Sequence, residues 1–287
     1  MTIIDDLKAH YKMSNCAQKM IFLNIALFII TLLLDQFSLT VFYQNWFALS
    51  SSPQVVFSRP WTLLTYAFLH DGIMHLFFNM LLLQFSGQLF LTYFSEKQWL
   101  GLYVLSAIFS GILFSFIFYF SGYTTSIVGA SAAIMAILVA STTFNPYRNI
   151  QLLLIGNVRL WHITFVIIII DVLQFKTDNT GGHIAHLAGA IFGFIYVFAL
   201  KKGLDFSKIV TSLIAFVTNG MQPSNTTPFK KVHRNYNNTI KSNVQSKIVT
   251  KNKKQQQIDE ILDKISKSGY DSLSDNEKDF LFKAGRD

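Results

Sequence analysis

The chain has 287 residues, is 51% hydrophobic and only 14% charged, and has a formal net charge of +8. Soluble domains carry about 25% charged residues. Residues 1–200 hold just 8 Lys/Arg and 7 Asp/Glu, which excludes a soluble globular enzyme, and a single cysteine, Cys16, excludes a disulfide scaffold.

In chain order, residues 1–19 mix Asp5, Asp6, Lys8, Lys12 and Lys19. They are read as a cytoplasmic segment and not as a cleaved signal, because the apolar run that follows is longer than a signal core. A hydrocarbon layer of about 30 Å needs roughly 20 apolar residues as a helix. Six segments meet this requirement: 20–42, 73–95, 98–120, 126–144, 157–175 and 182–200. With the N-terminus inside, the inner connections carry Lys97, Arg148 and Arg159, and the outer ones only Arg59 and Lys176. The bias of Lys and Arg toward the cytoplasm therefore puts both termini there. The largest outer connection, 43–70, contains Trp46, Phe47, Phe57 and Trp61 and suits the membrane interface.

After span six, residues 203–219 are apolar but too short to span and are expected to lie in the interface. Residues 220–255 hold eight Lys/Arg and no acid. They read as a disordered linker with affinity for anionic lipid and not for nucleic acid. Ile258, Ile261, Leu262 and Ile265 then recur at helical spacing, with Gly269 as a stop, and Ser274 and Glu277 form a capping-box pattern. The expectation for 256–287 is a small cytoplasmic helical hairpin. The fold class is an all-α membrane protein, a bundle of six transmembrane helices over 20–202 with a cytoplasmic tail.

Strongly polar side chains inside a span are costly and mark functional sites by default. Span two opens with His70, His75 and Asn79, of which the last two share a helix face. Taken alone, they read equally well as interfacial histidines with one interhelical hydrogen bond. Span four opens with Gly129 and Ser131, which alone suggest close helix packing. Span six opens with His183 and His186, followed by a Gly189-x3-Gly193 pattern for close backbone approach. His183 is read as interfacial, and His186 lies deeper on the close-packed side. All three spans start on the outer side. Ser131, His186, His75 and Asn79 therefore lie at about the same depth, roughly 5–10 Å below the surface at 1.5 Å per residue. One pocket open to outside water accounts for that shared depth. A serine beside a histidine is an activated nucleophile. His75, Asn79 and the Ser131 N–H are available to a developing oxyanion, and the start of a helix favours negative charge. Asp71 and Asp171 are read as membrane-boundary residues, so a dyad is expected and not a triad.

These residues resemble the rhomboid intramembrane serine proteases over about 20–200. His70, His75 and Asn79 match the family's His-x4-His-x3-Asn. Gly129 and Ser131 match Gly-x-Ser. Ala185, His186, Gly189 and Gly193 match Ala-His-x2-Gly-x3-Gly. The resemblance implies a Ser131/His186 dyad, with His75, Asn79 and the Ser131 N–H serving the oxyanion and no cofactor. It also implies a first loop lying partly in the membrane, and single-span membrane proteins as substrates. Three positions depart from the family pattern: Thr62 follows Trp61 where arginine is common, Ala132 follows the serine in place of glycine, and Met135 replaces a tyrosine that stacks on the histidine. A thioether still packs against an imidazole edge.

The alternative within the family is a catalytically inactive binder of transmembrane clients. A histidine-bound metal enzyme lacks HExxH, and a transporter would show a midplane site with an internal repeat. The sequence does not set the oligomeric state.

Overall fold

The computed structural model describes residues 2–152, 155–174, 180–220 and 244–284. They divide into two compact units, Met1–Ser224 and Asn225–Asp287.

The first unit opens with α1 (Ile3–Met13) and α2 (Cys16–Gln36). Each starts at a reciprocal capping box; at α2, Asn15 and Gln18 satisfy each other's backbone N–H at 3.0 and 3.1 Å. The first loop folds into α3 (Thr40–Phe47), β1 (Leu49–Ser50), α4 (Pro53–Ser58), α5 (Thr62–Thr65) and a 3-10 turn at Tyr66–Phe68. Then come α6 (Ile73–Leu91), α7 (Glu96–Ser121), β2 (Ser126–Ile127), α8 (Ser131–Phe144), β3 (Asn149–Leu152), β4 (Gly156–Arg159), α9 (Leu160–Leu173), α10 (Thr180–Lys201) and α11 (Ser207–Gly220).

Helices α2, α6, α7 and α10 are long and apolar enough to cross a membrane. Helices α8 and α9 have 14 residues each, about 21 Å at 1.5 Å per residue. The chain is an integral membrane protein with a mainly helical fold. The all-α expectation needs one correction: two short antiparallel pairs exist, β1 with β2 and β3 with β4. The first joins residues more than 70 positions apart, Leu49 to Ile127 and Ser50 to Ser126. No local pattern encodes such a pairing, since it is decided by which loops the helices bring together.

The core is built where α8 and α10 meet. A Cβ added at Gly189 or Gly193 would collide with the carbonyl oxygens of Ala132 and Ala136, so the two backbones touch. The first loop is locked against α7: Tyr66 OH donates to Ala107 O at 2.9 Å, and Tyr103 OH donates to Ala67 O at 3.1 Å. Arg59 stacks over the Trp46 ring at 4.6 Å and donates to Asn45 O, while Trp61 Nε1 donates to Trp46 O at 2.8 Å. Arg59 thus anchors the loop from three residues before Thr62. Thr62 itself is buried and donates to Arg59 O at 2.7 Å.

On the opposite side of the unit, Asp205 clasps α7, α10 and α11. It accepts from Ser207 N (3.0 Å), Ser207 Oγ (2.6 Å), Tyr196 OH (3.2 Å) and Gln98 Nε2 (3.3 Å). Burial raises its pKa, but these donors outweigh that effect and hold the carboxyl below its usual range.

The second unit contains α12 (Val244–Ser268), a 3-10 turn at Tyr270–Ser272 and α13 (Asp275–Ala284). Ile261 and Leu273 are buried. Ser274 N and Oγ both donate to Glu277 Oε2 at 2.8 Å, and Lys264 Nζ reaches the same carboxylate at 2.9 Å. Lys264 first, and Ser274 after it, pull the Glu277 pKa down to about 2. Helix α12 already runs from Val244, inside the stretch expected to be linker. Most of that expected linker, 221–243, lies outside the described residues.

Candidate active site

Ser131 is the first residue of α8, at the helix start where the sequence put it. The reason lies in the preceding backbone. Residues 126 and 127 are held extended by β1, Gly129 N donates to Tyr66 O at 2.9 Å, and Gly129 sits at φ +127. That conformation suits glycine. The space suits it too, because a Cβ there would stand 2.9 Å from His75 Nε2 and 3.5 Å from Ser131 Oγ. The α8 N-cap, Ala130, offers no side-chain cap, so among the described residues the first amides of α8 remain open.

His186, on α10, directs Nε2 at Ser131 Oγ, 2.5 Å away. The close α8–α10 contact at Gly189, one turn further on, sets this reach. His75, on α6, receives Asp71 N–H at Nδ1 (3.2 Å). A neutral ring accepting at Nδ1 carries its proton on Nε2, the atom that faces Gly129 and Ser131. Asn79 Nδ2 donates to His75 O at 2.8 Å, one turn back on α6, and its Oδ1 is buried without a partner among the described residues. His75, Gly129, Ser131 and His186 meet at one place. His70 lies edge-on to His75, with ring centroids 5.2 Å apart, and both its nitrogens are buried without a well-formed hydrogen bond among the described residues.

Burial, followed by the neighbouring His75, pushes the His70 pKa from 6.5 down to about 4. The folded chain thus releases this proton more readily than the unfolded one. Its contribution to stability is present above about pH 6.5 and is lost as pH falls toward 4. Melting in detergent between pH 7.5 and 4.5 is expected to show a shallower acid slope in His70→Phe than in the wild type. Equal slopes would show that His70 does not titrate in this way.

Asp171 and His183, expected as boundary residues without a role in the site, are joined to His186 by hydrogen bonds. Asp171, on α9, is buried, and its Oδ1 lies 2.7 Å from His186 Nδ1 and 2.6 Å from His183 Nδ1. Its Oδ2 is buried without a partner among the described residues. His183 is buried. Two signals in the sequence pointed this way. Asp171 is the only formal charge in an otherwise apolar helix, and His183 and His186 are spaced to share a helix face. Met135 packs with Leu89, Leu138, Leu160 and Ala190.

Asp171, His183 and His186 also form a group with metal-ligand chemistry, their ligand atoms lying within 4.8 Å of one another. The spacing favours hydrogen bonding. Ligands 2.0–2.2 Å from a tetrahedral zinc stand about 3.3 Å apart, whereas these contacts are 2.6 and 2.7 Å.

The fold and site define a helical membrane protein with a serine hydroxyl held against an imidazole at the start of a helix. A family model described as the Rhomboid domain matches residues 58–203, half of the chain. The chain belongs to the rhomboid family, whose members are in general intramembrane serine proteases. A second model, a family of unknown function (DUF6576), matches residues 248–283, the region of α12 and α13. No curated protein gives a significant match.

Proposed function

We propose that the chain is an intramembrane serine endopeptidase that uses Ser131 and His186 to hydrolyse peptide bonds in or beside transmembrane segments of single-span membrane proteins. The observation that carries this reading is the 2.5 Å approach of His186 Nε2 to Ser131 Oγ, within a family of membrane proteases.

His186 accepts the Ser131 proton as Oγ attacks the scissile carbonyl. The oxyanion receives hydrogen bonds from the open Ser131 N–H, from His75 Nε2–H and from the second Asn79 Nδ2–H. His186 then protonates the leaving amine. Water hydrolyses the acyl-enzyme by the same proton path, and Ser131 is restored. Six spans suit the chain if the extended residues before α8 and the ends of α9 complete the two 14-residue helices. The Lys/Arg bias supports an orientation with both termini on the cytoplasmic side of the membrane. It also places the site near the outer surface, where water reaches it.

The test is co-reconstitution in liposomes with single-span membrane proteins, and identification of the cut by mass spectrometry. Cleavage within or beside the transmembrane segment is expected. A folded wild type that cuts no substrate and reacts with no fluorophosphonate would overturn the reading in favour of client binding. In the same assay, Asn79→Ala is expected to lower kcat by about 10²–10³-fold, the usual effect of one oxyanion donor. It should stay above the serine and histidine variants, because two donors remain.

A further inference from the structure

The carboxylate of Asp171 joins two histidines of α10, a stronger arrangement than a dyad needs. An ionised carboxylate only accepts hydrogen bonds. The contacts at 2.7 and 2.6 Å therefore require a proton on Nδ1 of both His186 and His183. With Nδ1 protonated, neutral His186 has its lone pair on Nε2, the atom facing Ser131 Oγ. That is the tautomer a general base requires.

We propose that Asp171 is the positioning residue of His186, fixing its tautomer and ring direction, and that His183 holds Asp171 in place for this task. The inference rests on the serine-protease reading and deepens it.

Three observations support it. First, Met135, one turn beyond Ser131 on α8, packs among the aliphatic side chains of Leu89, Leu138, Leu160 and Ala190. The Asp171 contact restrains the His186 ring at its Nδ1 edge. Second, a buried carboxylate in a membrane helix is costly unless paired. Asp171 is only 7% exposed, and two N–H donors from another helix converge on one of its oxygens. Third, the same carboxylate favours the imidazolium formed when Ser131 gives up its proton, and so lowers the energy of the attack more than that of the resting state.

The charged and titratable groups around His186 are few. His183 lies on α10 itself, Asp171 on α9, and His75 on α6 with Asp71 beyond it. Helix α8 presents only the Ser131 hydroxyl. The formal charges of α7, Glu96 and Lys97, sit in its first turn, at the end away from the site. Among the described residues, Asp171 is the only anion in hydrogen-bond contact with the ring.

The experiment uses the full chain in detergent with 15N-labelled histidine. NMR reads the His186 tautomer, and fluorophosphonate labelling and substrate turnover read reactivity. The wild type is expected to hold the His186 proton on Nδ1. Asp171→Asn should mix or invert the tautomers and lower kcat by at least about 10²-fold at little change in KM. The corresponding change in soluble triad proteases costs about 10⁴-fold. Asp171→Glu should recover part of the loss, and His183→Ala should cost about tenfold. A wild-type His186 protonated on Nε2 would overturn the proposal, even if Asp171→Asn failed to fold. So would Asp171→Asn that reacts at the wild-type rate, or that loses activity with the tautomer unchanged, which is what a purely structural role predicts. A wild type that never labels would overturn the protease reading instead, and the tautomer would still decide the role of Asp171.

Discussion

Ser131→Ala and His186→Ala are each expected to abolish peptide cleavage and fluorophosphonate labelling; Ser131→Ala should melt close to wild type, and His186→Ala somewhat lower, because buried Asp171 loses one of its two histidine donors. In serine proteases the members of the catalytic unit act together, and losing the serine or the histidine alone costs about 10⁶-fold in kcat. No residual pathway in this site supplies another nucleophile. His75 accepts Asp71 N–H at Nδ1, so its neutral ring carries its proton on Nε2 and offers a donor in place of a nucleophile. Neither substitution creates a steric conflict. Alanine at 131 stays compatible with the start of α8, and alanine at 186 removes a side chain that is partly exposed, at 21%. Circular dichroism and thermal melting separate this outcome from misfolding. Labelling retained in Ser131→Ala would mean that another side chain is the nucleophile.

Gly189→Val is expected to fail for a different reason. The α10 backbone at Gly189 lies against Ala132 of α8, and a Cβ would enter the space of the Ala132 carbonyl oxygen. The obstacle is backbone, so no rotamer change relieves it. Overpacking a core usually costs about 1–3 kcal/mol, and more where the surroundings cannot move. If the helices separate, His186, one turn before Gly189, moves away from Ser131, one residue before Ala132. A 1 Å displacement of a reacting group costs about 10²-fold in rate. Gly189→Val should therefore lose both activity and thermal stability, with Gly189→Ala intermediate. This double loss distinguishes it from Ser131→Ala, which loses activity alone. Full activity with an unchanged melting temperature would disprove the close-packing account of α8 and α10.

The sequence by itself determined the class of the protein. Low charge density in the first 200 residues and long apolar runs are local, additive properties, and they define membrane helices without reference to the rest of the chain. The ordered motifs around His75, Ser131 and His186 were legible for the same reason, because helical spacing fixes which side chains share a face. The helical periodicity of 258–265 and the Ser274–Glu277 pattern, whose partners are three residues apart, were legible as local signals.

Tertiary structure alone decided the rest. The β1–β2 pair, which holds the chain extended before Ser131, unites segments more than 70 residues apart, and backbone pairing leaves no side-chain signature at that range. The anchoring role of Arg59 depends on where Trp46 comes to lie. Asp171 was visible as a charge in an apolar helix, but its partners belong to another helix. Its position near a membrane boundary gave an adequate explanation until α9 and α10 were seen side by side. A buried charge reveals that it must be compensated, and only the packing of helices reveals what compensates it.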